Sequence, residues 1–122
     1  MLLNLSNHPV KNWSENQKKE AEKLYGEIKD LPFPKINPKA DEKEILKKAK
    51  LYKDEILTVI KSSNNKNNAV HIMGEMTFTF ALVKKLLENN IVCVASTTER
   101  NAIETDGKKI SEFKFIKFRK YV

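Results

Sequence analysis

The chain has 122 residues, of which 40% are hydrophobic, and it carries one cysteine, two histidines and a formal net charge of +7. That length holds one domain, residues 1–122, with a core that needs no staples. A lone cysteine excludes an internal disulfide framework and a cysteine zinc cage, and two histidines are too few for a dedicated transition-metal site. This thiol usage suits a reducing, cytoplasmic setting. No apolar run reaches membrane-span length, and Met1–Leu5 is too short for the apolar stretch of a signal peptide.

The elements follow in chain order. Leu2–Leu5 is a short apolar run closed by turn residues, a first strand. Ser14 and Gln17 have capping-box spacing ahead of Gln17, Ala21, Leu24 and Tyr25, which recur at helical period, and Gly26 stops that helix. Glu27–Leu31 is a second strand, closed by Pro32-Phe33-Pro34. Asp41 is a good N-cap for the longest helix, with Glu42 and Glu44 in its first turn and an apolar stripe from Ile45 to Ile60. The polar run Ser62–Asn68 ends it. Ala69–Met73 is a third strand interrupted only by His71. Helix three follows Gly74-Glu75-Met76-Thr77 and runs to about Glu88. Ile91–Ala95 is a fourth, fully apolar strand. Asn101–Thr105, Asp106-Gly107 and Lys109–Lys120 read as a hairpin on a type I′ turn, with a bulge near Phe115-Ile116.

The alternation predicts an α/β fold, a doubly wound, Rossmann-like parallel sheet of about four strands in the order 2-1-3-4, with a C-terminal antiparallel hairpin beyond strand four. Ligands bind such sheets beyond the carboxyl ends of the strands, where the winding reverses. Four segments emerge there: Ser6-Asn7-His8-Pro9, Pro32-Phe33-Pro34, Gly74–Thr77 and Ser96-Thr97-Thr98-Glu99-Arg100.

Each carries a candidate group. Gly74 lets the backbone approach a ligand, and the helix start at Met76 and Thr77 offers free N–H groups to a phosphate, although a plain βα turn has the same look. Neither a Gly-x-Gly-x-x-Gly nor a Walker lysine is present, which disfavours dinucleotide and triphosphate binding. The hydroxyls of Ser96, Thr97 and Thr98 with the Arg100 guanidinium suit phosphate oxygens; the hydroxyls serve equally to satisfy a strand end. His8 has the chemistry of a general acid or base, or of a structural hydrogen-bonder. Asn7 would orient a ligand or its own loop. Phe33 and Trp13 carry rings that stack on bases, with a hydrophobic staple the plainer role for Trp13. His71, inside an apolar strand, reads as a buried, satisfied histidine, and Cys93 as inert. The positive charge favours phosphate-bearing partners, although scattered lysines also serve solubility alone.

Leu5–Pro9, Met73–Thr77, Ser96–Arg100 and the closing Phe113–Tyr121 resemble small stand-alone CARF-like accessory proteins of type III CRISPR systems, some of which are ring nucleases. The resemblance implies a CARF-like domain that binds a cyclic oligoadenylate, with cyclic tetra-adenylate expected, between the two subunits of a homodimer. It further implies metal-independent cleavage in which a ribose 2′-hydroxyl attacks the neighbouring phosphate. In that scheme Arg100 and the Ser96, Thr97 and Thr98 hydroxyls stabilise charge, and His8 or Glu75 moves the proton. Ser6, Asn7, Phe33, Gly74, Met76 and Thr77 would complete the ligand site. No cofactor, metal, membrane or long nucleic acid enters this picture, and 122 residues leave no room for an attached output domain. A pure binder that sequesters the messenger, and a small basic nucleic-acid-binding protein using the aromatic final strand, are the alternatives.

Overall fold

Apolar segments too short for helices make the centre of the molecule. The computed structural model describes residues 1–122, as β1 (Leu2–Ser6), a single 3-10 turn at Val10–Asn12, α1 (Glu15–Tyr25), β2 (Ile28–Asp30), α2 (Glu42–Ser62), β3 (Ala69–Met73), α3 (Met76–Glu88), β4 (Val92–Thr105) and β5 (Lys108–Lys120). The strands form one mixed sheet in the order β2-β1-β3-β4-β5, parallel except for the β4–β5 pair. The expected order 2-1-3-4 is what the chain adopts, with β5 added antiparallel at the β4 edge.

Alternation along the strands splits the core in two. Leu3, Leu5, Val70, Ile72 and Cys93 face Ala49 and Ile56 of α2 and Phe78, Leu82 and Leu86 of α3. Leu2, Ala69 and Val94 face the other way, against Trp13, Ala21 of α1, and Phe115 and Phe118 of β5. Two helices therefore cover one face and one helix the other, which leaves the strand ends open on the α1 side. Both read N-caps form: Ser14 accepts from the Gln17 amide at 3.2 Å, and Asp41 from the Glu44 amide at 3.0 Å. No helix is long and apolar enough to cross a membrane.

One expectation fails. Ser96–Arg100 is no loop, and the fourth strand and the first arm of the hairpin are one continuous strand, so the sheet has five strands and its longest spans 14 residues. The cause is β5, which pairs with β4 from Val94 to Thr105 and leaves no backbone group in need of a turn. The expected bulge is present. Thr97 pairs with Lys117 but Thr98 with Phe115, so Ile116 is the extra residue. The Thr97 hydroxyl bonds both the N–H and the C=O of Lys117 at 3.2 Å and pins it. Asp106 and Gly107 have φ of 52° and 76°, as a type I′ turn requires.

Phe33 and Gly74 are also placed otherwise than expected. The Phe33 ring stands edge-on to Phe78 at 5.4 Å, inside the α2–α3 core, and lies directly over Gly74. Gly74 thus makes room for a side chain of its own protein. A Cβ there would fall within the Phe33 ring, so Gly74→Ala should destabilise the fold by about 1–3 kcal/mol. Phe33→Ala removes the obstruction. The double variant should therefore be more stable than the sum of the two single losses, measured by urea unfolding of all three proteins. Strict additivity would show that the two positions do not compete for space.

Candidate functional site

The β1 sequence Leu-Leu-Asn-Leu-Ser and the β3 sequence Ala-Val-His-Ile-Met each carry a polar residue at the centre of a buried strand, and the register sets Asn4 directly beside His71. Asn4 is 1% exposed and His71 2%. At that burial every polar atom needs a partner. The Asn4 Nδ2 donates to the His8 carbonyl and to Asp30 Oδ1, both at 2.9 Å. Its Oδ1 accepts from the Ser6 hydroxyl at 2.8 Å and meets His71 Nδ1 at 2.9 Å.

This network fixes a proton. Both Nδ2 partners of Asn4 are pure acceptors, so the amide orientation is determined. The oxygen then faces His71, whose Nδ1 must carry the hydrogen. Nε2 is left with its lone pair, and the Ser96 hydroxyl, 3.2 Å away, donates to it. The Ser96 N–H donates to the Met73 sulfur at 3.3 Å, and the Oγ lies 3.0 Å from that sulfur, a soft and weak acceptor that competes with His71 for the one hydroxyl hydrogen. Trp13 closes the assembly, donating its Nε1–H to the His8 carbonyl at 2.9 Å and setting its ring edge-on to His71.

Above the network lies a pocket of about 650 Å³, within the range of small-molecule sites, roughly 300–1,000 Å³. Ser6 and His8 reach it from β1 and the turn that follows, His71 and Met73 from β3, and Ser96 and Thr98 from β4. Asn12, Trp13, Ser14 and Gln17 supply the α1 side, and Phe113 and Phe115 of β5 the far wall. None of these residues is Lys, Arg, Asp or Glu. Two smaller pockets, of about 320 and 370 Å³, share Phe115 with it and bring Lys19, Lys23 and Lys114, together with Glu20 and Glu112, to the groove between α1 and the ribbon.

The candidate residues read from sequence divide. Ser6, His8, Ser96 and Thr98 line the pocket. Arg100 lies four residues past Ser96 on the ribbon, and its Nε and Nη2 bond the Ser111 hydroxyl at 3.1 and 2.9 Å. Thr97 points its hydroxyl at the bulge. Glu75 is the N-cap of α3. Its carboxylate accepts from the N–H groups of Phe78 and Thr77 and from the Thr77 hydroxyl, and these bonds hold its pKa below the ordinary value, the Phe78 amide most of all. Asn7 and Met76 are exposed outside the pocket, Met76 on α3. Phe33 and Gly74 belong to the opposite core. Asn7, Glu75 and Arg100 are therefore not drawn to one rim around the pocket.

Sequence reasoning passed over Asn4, Asn12, Gln17, Met73 and the pocket-side role of His71. The signal for the central pair was available: one polar residue in the middle of each of two adjacent apolar strands, at matching depth.

Burial pushes the His71 imidazole down to about 4 from 6.5, and the charge of His8 adds a smaller push in the same direction. The unfolded chain then binds a proton near pH 6.5 that the folded chain refuses until about pH 4. Stability is complete above pH 6.5 and is lost progressively as the pH falls through that window, by about 3 kcal/mol in all. Urea midpoints between pH 7 and pH 4 should show this loss, and His71→Gln, which cannot titrate, should lose correspondingly less over the same interval. Parallel slopes in the two proteins would assign the acid sensitivity to other groups.

No curated protein and no solved structure matches the chain. The model of the uncharacterized protein MJ1673 family matches residues 1–119, which takes in every strand but the last residue of β5, the Asn4–His71–Ser96 network and the pocket above it. The chain belongs to the MJ1673 family.

Proposed function

We propose that this protein is a stand-alone CARF-like domain that binds a cyclic oligoadenylate, cyclic tetra-adenylate in the first instance, and opens the ring in the cytoplasm without a metal. The observation that carries the reading is the uncharged chamber at the carboxyl ends of β1 and β3, walled by Ser96 and Thr98 from within β4, with lysines on the adjoining groove. An adenine with its ribose matches the chamber's mixture of rings, hydroxyls and amides, with Phe113, 68% exposed, as the surface on which a base stacks. Phosphates stay along the groove, near Lys19, Lys23 and Lys114, where water still screens and solvates them.

A homodimer is part of the proposal. Beyond Val94, β4 has no neighbour on the β3 side, and Ala95–Thr105 pairs only with β5. A two-stranded ribbon is marginal in water by itself. This one exposes the cross-strand pair Ile103 and Ile110, at 43% and 49%, as well as Phe113. A second copy packed on the ribbon covers those side chains and sets two chambers against a two-fold symmetric ring.

Of the three groups first assigned to the cut, only His8 lines the chamber. Glu75 is occupied in its cap and Arg100 on the ribbon.

Cyclic tetra-adenylate should raise the melting temperature by several degrees, and calorimetry should give one ring per two chains. Phe113→Ala and Lys114→Ala should each weaken binding about tenfold, the equivalent of about 1.4 kcal/mol. Glu75→Gln should lower thermal stability while leaving the affinity within twofold. Failure of cyclic tri-, tetra- and hexa-adenylate alike to shift the melting temperature would remove the reading, as would salt-sensitive binding of long RNA in their place.

A further inference from the structure

The chamber contains a hydroxyl already aligned on a base. Ser96 is half-buried in the wall, donates to the bare Nε2 of His71, and lines the space a ligand would fill. His71 is held in that tautomer by the Asn4 amide oxygen, and Asn4 is held in turn by Asp30 and the His8 carbonyl. Nucleophile or shuttle, then base, then orienting amide is the geometry that lets a neutral hydroxyl take up one proton as it gives its own to the base.

We propose that Ser96 and His71 are the catalytic residues of this pocket, moving the proton that ring opening requires, and that Asn4 is their positioning residue. The inference rests on the cyclic oligoadenylate reading but not on the residues first assigned to the cut. In the step, a ribose 2′-hydroxyl hydrogen-bonded to Ser96 Oγ passes its proton to that oxygen as the Ser96 proton passes to His71 Nε2. The freed 2′ oxygen forms a bond to the neighbouring phosphorus, and the phosphorus–5′-oxygen bond breaks. The departing 5′ oxygen takes a proton from water at the chamber's mouth. The hydroxide left there recovers one from His71 through Ser96. The product is a linear oligoadenylate with a 2′,3′-cyclic phosphate and a 5′-hydroxyl. No water is consumed and no oxidant, reductant or metal enters.

Two features of the surroundings support the assignment. The twelve residues lining the chamber include no carboxylate, and the group oriented on His71 Nδ1 is an amide, so nothing nearby pairs with an imidazolium and the base stays neutral and ready to accept. The groups facing the imidazole from the elements packed on it are Asn4 of β1, Ser96 of β4, the rings of Trp13 and Phe118, and His8 beyond, the one other titratable group that acts on it. The second feature is the weak partner of Ser96. A hydroxyl whose only other contact is a thioether gives that contact up to a ligand at little cost.

The experiment combines binding and turnover on the full chain. Cyclic tetra-adenylate is added below the enzyme concentration; the ring and its product are separated by chromatography, and affinity is measured by calorimetry in parallel. Wild type should bind and convert the ring. Ser96→Ala removes one oxygen from a half-exposed wall and so folds; it should bind within about threefold and convert at least a hundredfold more slowly, in the range expected for loss of a general acid–base group. The wild-type rate should be level from pH 6 to 8 and fall toward pH 4 as His71 takes up its proton. Conversion by Ser96→Ala at the wild-type rate, or a wild type that binds and leaves the ring intact, overturns this inference and spares the binding reading. A wild type that does not bind overturns both.

Discussion

The structure turns on the side chain of Asn4. An asparagine amide can donate two hydrogen bonds and accept two, and this one does all four while 1% exposed. The bonds run to β2 through Asp30, to β3 through His71, to Ser6 on its own strand and to the carbonyl of His8 in the turn beyond. Asp30 also accepts from the Val10 amide at 3.2 Å, so the same node anchors the 3-10 turn. No other residue type satisfies both sides. Aspartate would set two carboxylates against each other at the Asp30 contact, and leucine would strand the His71 Nδ1–H in the core. Such an orphan costs roughly 1–3 kcal/mol, so the node carries a substantial part of a small domain's stability margin.

Much of the fold was legible because the rules that made it are local. The Ser14 and Asp41 caps, the Asp106-Gly107 turn, the bulge at Ile116 and the four parallel strands follow from residue types at short spacing, and strand adjacency follows from the βαβ alternation. The node was not legible in the same way. Asn4 sits in a run that reads as apolar strand, and His71 reads correctly as buried and satisfied. What joins them is the register between two strands 67 residues apart, together with Ser96 arriving from a third. Polar residues at the centres of neighbouring strands partner each other because burial leaves them no alternative. That argument becomes available once strand order is known.

Ser96–Arg100 and Glu75 show the opposite failure, in which the residue types were informative and the placement was not. Three hydroxyls and an arginine suit a phosphate-binding loop, yet two of the four are β-branched threonines that pair as readily in a strand. The outcome depended on whether a partner strand ran past them, and β5 does. Period two then separates them: Ser96, Thr98 and Arg100 share the α1 face, while Thr97 and Glu99 face the other way. Glu75 follows a glycine at a strand end, where a ligand carboxylate and a capping one look alike. Its longer chain folds back onto the Thr77 and Phe78 amides and leaves no free carboxylate at the end of β3.

The chamber's lack of formal charge and the amide at Asn4 express one constraint. His71 accepts from Ser96 only while it is neutral. A carboxylate in place of the amide, or on the chamber wall, would stabilise the imidazolium and remove the lone pair that orients Ser96. A lysine on the wall would bring a phosphate down into a space where its desolvation would cost several kcal/mol. The chain carries a net charge of +7 and still keeps its cations on the groove outside, at Lys19, Lys23 and Lys114. On the proposed reading, a ligand with both an uncharged ring system and phosphates would lie with base and sugar over the Ser96–His71 pair and its charge at the rim. A free phosphate gains nothing from the chamber, and a free base gains nothing from the rim. That proposed placement calls for a molecule in which the two are covalently joined.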